Sequence, residues 1–310
     1  MTKHLAELLI DYTEHMRAHN MSACTIRAVT YNGRAFLRWL SEHAQVHTVD
    51  RLRLSILEAW LKHLAAWRTT KGRPLRPSSI NKKIECLRGF LKYLMHHGLV
   101  QRAMLDALDY VKEPSNLPTS VLTHAQVKKL LRAVPNASPE TYRDRAMLEL
   151  LYTSGIRVGE LMALDVADID FSNATMIVTG KGNKQRVVPI GKSALRHLES
   201  YLVAVRSFLL RDPKEQALFL VHGGNRIKRH NIARRLTHYA KLARLEVNVT
   251  PHTFRRSCTT ELIRSGANLY HVKELLGHES LETLKPYTKL TITDLRATHA
   301  KCHPRERDGN

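Results

Sequence analysis

Apolar residues recur along the first hundred positions at the three-and-four spacing of a helix face, without the alternation of a strand. Leu5, Leu8, Leu9 and Tyr12 form the first run. Ser22 stands before a second, made of Ile26, Val29, Tyr31, Phe36, Leu37 and Leu40, and Leu54, Leu57, Leu61 and Leu64 give a third. Pro77 and Ser78 open a longer fourth run with Ile80, Ile84, Leu87, Phe90, Leu91 and Leu94, which stops near Gly98. Proline suits a first helical turn and glycine a helix end, so four or five helices are predicted here.

The pattern breaks at residues 113–120, Glu-Pro-Ser-Asn-Leu-Pro-Thr-Ser, where two prolines among polar residues read as a linker. Beyond it the period is mixed. Thr123 caps a helix carrying Val127, Leu130 and Leu131, and residues 144–152 continue as an apolar helix that Gly155 ends. Residues 175–179 read as a strand, 180–184 as a turn and 186–190 as the returning strand of a β-hairpin. Residues 217–221 read as one more short strand, and helices return from Ile232 onward. The predicted fold is mainly α, with a small antiparallel β-hairpin or sheet in the second domain. A helical domain spans 1–112, a linker 113–120, and a mixed α+β domain 121–310.

Charge changes this picture from a fold to a class of partner. The 310 residues hold 49 Lys and Arg against 28 Asp and Glu, a net +21. Residues 1–112 carry 18 against 9 and the remainder 31 against 19, so both parts are basic, at +9 and +12. Such an excess favours polyanions, above all nucleic acid, and a protein that clamps DNA between two domains would look like this. A basic ribosomal or membrane-surface protein would share it. Arg73, Arg76, Lys82, Lys83 and Arg88 cluster before and within the fourth helix. Any one of them suits an ordinary solvated face; as a set they point to phosphate contact.

Cys24, Cys86, Cys258 and Cys302 are scattered and form no CxxC pair, which argues against a zinc module. His299, Cys302 and His303 read as a polar tail. No apolar run reaches the ~18 residues of a membrane span. His4, Glu7 and Asp11 do not fit a signal peptide. A reduced, cytoplasmic compartment is the expectation.

Four segments carry chemistry. In Thr153-Ser154-Gly155-Ile156-Arg157-Val158-Gly159-Glu160-Leu161 a glycine turn delivers Arg157 to the start of a helix, where a guanidinium beside N–H groups suits a phosphate oxygen. In Gly180-Lys181-Gly182-Asn183-Lys184 glycines allow close approach to DNA and Lys181 can project into a groove. In His252-Thr253-Phe254-Arg255 the outer two residues are three apart and share one helical face. Leu275-Leu276-Gly277-His278 is followed nine residues later by Tyr287. Singly, Arg157 would be a surface ion pair, Lys181 a mobile turn residue, His252 a helix cap, His278 a buried histidine and Tyr287 ordinary packing. Their joint occurrence in this order is what carries weight.

The chain resembles a tyrosine recombinase of the phage-integrase and Xer type. The matching residues are Gly155 to Leu161, Gly180 to Lys184, His252-Thr253-Phe254-Arg255, Leu276-Gly277-His278 and Tyr287-Thr288. The helical first domain resembles the family's SAM-like core-binding domain, so the likeness covers nearly the whole chain. It implies a catalytic set at Arg157, Lys181, His252, Arg255, His278 and Tyr287, with Glu160 supporting the first arginine. Arg76, Lys82, Lys83 and Arg88, with Lys184, Arg186 and Arg256, are the expected DNA contacts. Arg256 stands where many members have histidine, Phe254 replaces a common leucine, and Pro286 directly precedes Tyr287, removing a backbone donor and stiffening that loop.

What the resemblance implies is site-specific recombination through a 3′-phosphotyrosine, without metal, ATP or another cofactor. The partners are double-stranded DNA carrying a recombination site and further protomers, in a tetramer on two synapsed sites. No membrane and no small-molecule substrate enter, and the setting is a bacterial cytoplasm and nucleoid. The segment with Leu290, Ile292, Leu295 and Ala297 either docks into a neighbouring subunit or packs on its own domain. Helices starting near residue 4 imply no separate arm-binding domain. Two rivals share these features: a type IB topoisomerase that relaxes DNA as a monomer, and a catalytically silent DNA-binding relative.

Overall fold

The structure is a computed structural model that describes residues 3–70, 72–113, 121–277, 280–282 and 284, with Lys181 described by its backbone alone. The chain divides into two compact units, Met1–Ser115 and Asn116–Asn310.

The first unit is helical. Its helices are α1 (Leu5–Ala18), α2 (Ala23–Trp39), α3 (Leu54–Ala66), α4 (Pro77–His96) and the short α5 (Ala103–Asp106). Ser22 caps α2 by accepting from the Thr25 N–H at 3.1 Å, and Pro77 sits in the first turn of α4, where no N–H is needed. Apolar stripes meet in one core, in which Phe36 and Trp39 of α2 pack against Trp60 of α3 at 5.4 and 5.1 Å between ring centroids. Tyr31 falls outside the stripe it was assigned to and is 73% exposed.

Three of the expected DNA contacts in this unit have intramolecular partners. Arg88 is the most engaged of them. Its Nη1 donates to the Leu105 and Leu108 carbonyls, both at 2.7 Å, and so caps the end of α5. Lys83 donates to Asn32 Oδ1 at 3.3 Å and lies over the Trp67 ring. Lys82 pairs with Glu85 at 2.8 Å on the surface, where such pairs add little stability. Arg76 is exposed.

In the second unit α6 (His124–Arg132) starts at a capping box between Thr123 and Gln126. The central helix α7 (Pro139–Ser154) is buried along most of its length and ends at Gly155. After α8 (Val158–Ala163) come β1 (Ile169–Asp170), β2 (Thr175–Thr179) and β3 (Gln185–Pro189), one antiparallel sheet in that order. Met176, Val178 and Val188 face the core, while Ile177 and Val187 face outward. Then follow α9 (Lys192–Tyr201), a π-helical turn over Leu202–Arg206, α10 (Ser207–Leu209), α11 (Arg229–Leu242), α12 (Pro251–Arg264) and α13 (Leu269–Leu276). A mainly α fold with a small antiparallel sheet is thus present.

Residues 217–221 do not form the strand predicted for them. They make isolated bridges, Asp165 to Ala217 and Leu220 to Arg226, because Leu164 and residues 225–227 take their hydrogen bonds from either side. β1 is two residues long and left no alternation to read.

A buried polar network joins these elements. Asp144 on α7 is fully buried and accepts from Arg143 Nε and Nη2 at 3.0 and 2.7 Å. It also accepts from the Tyr239 hydroxyl at 2.6 Å and pairs with Arg235 at 3.2 Å. Arg143 Nη1 reaches the Leu220 carbonyl, and the Leu220 N–H donates to the Tyr201 hydroxyl. Burial, then the hydrogen bond to Asp144, raises the Tyr239 pKa, so its hydroxyl stays a donor. Asp144→Ala strands the buried Arg143 guanidinium and unpairs the partly exposed Arg235, and is expected to cost about 3–5 kcal/mol in chemical denaturation. A loss under about 1 kcal/mol would show the network to be dispensable.

Among the described residues no helix is long and apolar enough to cross a membrane.

Candidate active site

The C-terminal ends of α7 and α13 meet the middle of α12 at Gly155. Its φ of +61° is left-handed, and a Cβ there would lie 2.8 Å from Leu276 Cδ2 and 3.1 Å from Cys258 Sγ. Only glycine fits both demands. The turn it makes places Arg157 as the N-cap of α8. Glu160, three residues on, reaches back to accept from the Arg157 N–H at 2.8 Å and from Arg157 Nη1 at 2.9 Å.

Arg157 and Arg255 converge on the C-terminus of α13. Arg157 Nη2 donates to the Gly277 carbonyl at 2.9 Å. Arg255 Nη2 donates to the Leu276 carbonyl at 2.8 Å and its Nη1 to the Gly155 carbonyl at 2.7 Å. Arg157 keeps 43% of its side chain exposed, whereas Arg255 is buried. Burial, then the charge of Arg157, pulls the Arg255 pKa down to about 10, which leaves it cationic at neutral pH.

Glu160 is buried between two arginines. Arg186 on β3 offers it Nη1 and Nη2 at 3.0 and 2.9 Å, while its Nε donates to the Leu275 carbonyl at 3.1 Å. Burial works against ionisation of Glu160, but the hydrogen bonds from Arg186 and Arg157 outweigh it and hold its carboxyl below the usual range. Arg186 was expected to touch DNA; its guanidinium is instead committed inside the unit. The reason is register: Arg186 pairs with Val178 and so shares the inner face with Val188. Only the strand pairing could reveal this, because Val187 and Val188 are both apolar.

His252 lies near the start of α12 with its ring open to solvent, beside an open depression of about 560 Å³ lined by Glu246, Asn248, Thr250 and Arg256 among others. Crowding by the surrounding protein, then the charges of Arg256, Arg255 and Arg157, lower its pKa below the ordinary 6.5. The shift favours the neutral ring.

Lys181 lies in the hairpin turn Lys181–Asn183, where Gly182 and Asn183 take φ of +73° and +59°. Lys184 follows the turn and is exposed. His278, Pro286, Tyr287 and the apolar positions 290–297 lie outside the described residues. Two pairs distant from each other in sequence, Arg157 with Glu160 and His252 with Arg255, are thus brought together. Among the described residues, no group of three or more His, Cys, Asp and Glu is arranged to hold a metal ion.

The arrangement offers two guanidiniums, one of them solvent-accessible, beside an imidazole whose neutral form is favoured. That is suited to hold an anionic oxygen and to accept a proton.

Known proteins resemble this chain in sequence and fold. Residues 120–293 match the Phage integrase family, and residues 9–98 match the phage integrase N-terminal SAM-like domain. Tyrosine recombinase XerC 2 of Ralstonia nicotianae is 34% identical over 308 residues, covering 97% of this chain and 88% of the relative. Tyrosine recombinase XerD of Listeria innocua is 34% identical over 287 residues, covering 92% and 94%. Among solved structures, the Tn1549 transposon integrase in complex with a circular intermediate DNA aligns with a TM-score of 0.72 at 19% identity, over 95% of this chain and 99% of that one. That last likeness is one of fold; the sequence matches span both units, and by them the chain belongs to the phage integrase family of tyrosine recombinases.

Proposed function

We propose that the protein is a site-specific DNA recombinase that cuts and rejoins strands through a 3′-phosphotyrosine at Tyr287. The observation that carries this reading is the convergence of Arg157, Arg255 and His252. The first domain, 1–112, serves as core-binding domain and 121–310 as catalytic domain, both drawn to DNA by their positive charge.

Arg157 and Arg255 hold the non-bridging oxygens of the scissile phosphate, and their contribution grows as charge builds in the transition state. Tyr287 Oη attacks phosphorus and its proton passes to His252. The bond from phosphorus to O5′ breaks, and Lys181 delivers a proton to the departing oxygen. A phenol with a pKa near 10 needs such a base. His278 orients a phosphate oxygen or assists the proton. The phosphoester energy is kept in the protein–DNA bond, so strand joining by a 5′ hydroxyl needs no ATP. Exchange between two duplexes calls for several protomers, and a closed tetramer on synapsed sites meets that need.

A nicked suicide duplex bearing the target site tests the reading. The wild type should form a covalent adduct that survives detergent and yields to protease. No adduct on any site recovered with the purified protein would overturn it. The role of His252 has its own signature. Single-turnover cleavage should rise with pH through the lowered imidazole pKa and level off above it, since only the neutral ring accepts a proton. His252→Gln should lose this rise and run about 10²-fold slower or worse. A rate that falls over that range would exclude His252 as the base.

A further inference from the structure

The last carbonyls of α13 are held by three arginines. Leu275 accepts from Arg186 Nε at 3.1 Å, Leu276 from Arg255 Nη2 at 2.8 Å, and Gly277 from Arg157 Nη2 at 2.9 Å. A helix C-terminus carries unpaired carbonyls and a partial negative charge, which offset part of the repulsion among three cations gathered there. Two of these arginines are assigned to the phosphate. Arg186 is not free for it: Nε, Nη1 and Nη2 each donate internally, and only 17% of the side chain is exposed. Its guanidinium also lies against Gly277, where a Cβ would come within 2.8 Å of Nη1 and 2.9 Å of Cζ. Gly277 takes φ of +63° there.

We infer that Arg186 is a positioning residue for strand cleavage: it aims Arg157 by sharing Glu160 and fixes the end of α13 that leads into His278. This rests on the function proposed above. The physical case is one of partition. Glu160 accepts from both guanidiniums, with Oε1 serving Arg157 Nη1 and Arg186 Nη1, and Oε2 serving Arg186 Nη2 and the Arg157 N–H. Without Arg186 a buried carboxylate keeps Arg157 as its one cation and draws that fork inward, away from a phosphate. At the same time the Leu275 carbonyl loses its guanidinium donor, which loosens the segment on which Arg157 and Arg255 rest. Lysine cannot take over, because one ammonium cannot present a planar fork to Glu160 and a third donor to Leu275.

The test is a double-mutant cycle in single-turnover cleavage of the suicide duplex, with DNA affinity and thermal unfolding measured on the same samples. Arg186→Met should bind target DNA within about threefold of wild type, since no phosphate contact is lost. It should cleave on the order of 10- to 100-fold more slowly, as misplacement of a catalytic group does. Added to Arg157→Ala, it should slow cleavage by clearly less than it does alone, because the share that acts through Arg157 is already gone. Should Arg186→Met fail to fold, Arg186→Lys, which keeps charge and stem, serves in the same cycle. Wild-type cleavage by the Arg186 variant, losses that multiply in full, or DNA binding that falls as far as cleavage would each overturn the positioning role and leave the proposed function standing. Absence of any adduct with the wild type would overturn both.

Discussion

Tyr287→Phe is expected to abolish the covalent protein–DNA adduct while target binding stays within about threefold of wild type. The substitution removes one oxygen and leaves the ring. Affinity for DNA comes from many Lys and Arg contacts with phosphate, and a chain of net +21 does not depend on one phenol for it. The covalent route, by contrast, has no substitute: without the hydroxyl nothing at this position can bond to phosphorus. Denaturing gels of suicide-duplex reactions, run beside gel-shift titrations, separate the two quantities. An undiminished adduct would move the nucleophile elsewhere among the ten tyrosines.

Arg157→Ala has the second largest expected effect, a loss of about 10²–10³ in the single-turnover cleavage rate, or about 2.7–4 kcal/mol of transition-state stabilisation. It is a cleaner substitution than Arg255→Ala. Arg157 is 43% exposed, and its removal leaves Glu160 paired with Arg186. Arg255 is buried and bridges Gly155 to Leu276, so its truncation opens two carbonyls and mixes stability with catalysis. Arg157→Lys should recover little, because an ammonium that meets Glu160 has no second arm for the Gly277 carbonyl or a phosphate oxygen. DNA binding should survive both substitutions. If binding falls as far as cleavage, Arg157 is a DNA anchor rather than a transition-state contact.

The two results together separate recombinase chemistry from mere DNA binding. A silent relative would bind and show no adduct with any variant. A topoisomerase would form the adduct and relax plasmids while failing to exchange strands between two sites.

Much of this protein was legible along the chain because its signals are local. Helices α1 to α4 announce themselves by apolar spacing, Ser22 and Thr123 by capping chemistry, and the β2–β3 hairpin by its glycine turn. The order of Arg157, Lys181, His252, Arg255, His278 and Tyr287 is likewise a property of sequence. What spacing does not encode is which face a side chain takes and which distant group it meets. Arg186 looked like a hairpin cation until pairing with Val178 turned it inward to Glu160, since a shift of one residue reverses every side chain on a strand. Arg88, read from the sequence as a phosphate contact, also caps the end of α5, which spacing could not show. Arg157 and Gly277 lie 120 residues apart, and Asp144 and Tyr239 lie 95 apart. Sequence alone thus determined most of the elements, the basic charge and the order in which the expected reactive residues fall. Tertiary structure decided how the arginines divide their labour, because a guanidinium's partners are set by which carbonyls and carboxylates the fold leaves unpaired beside it.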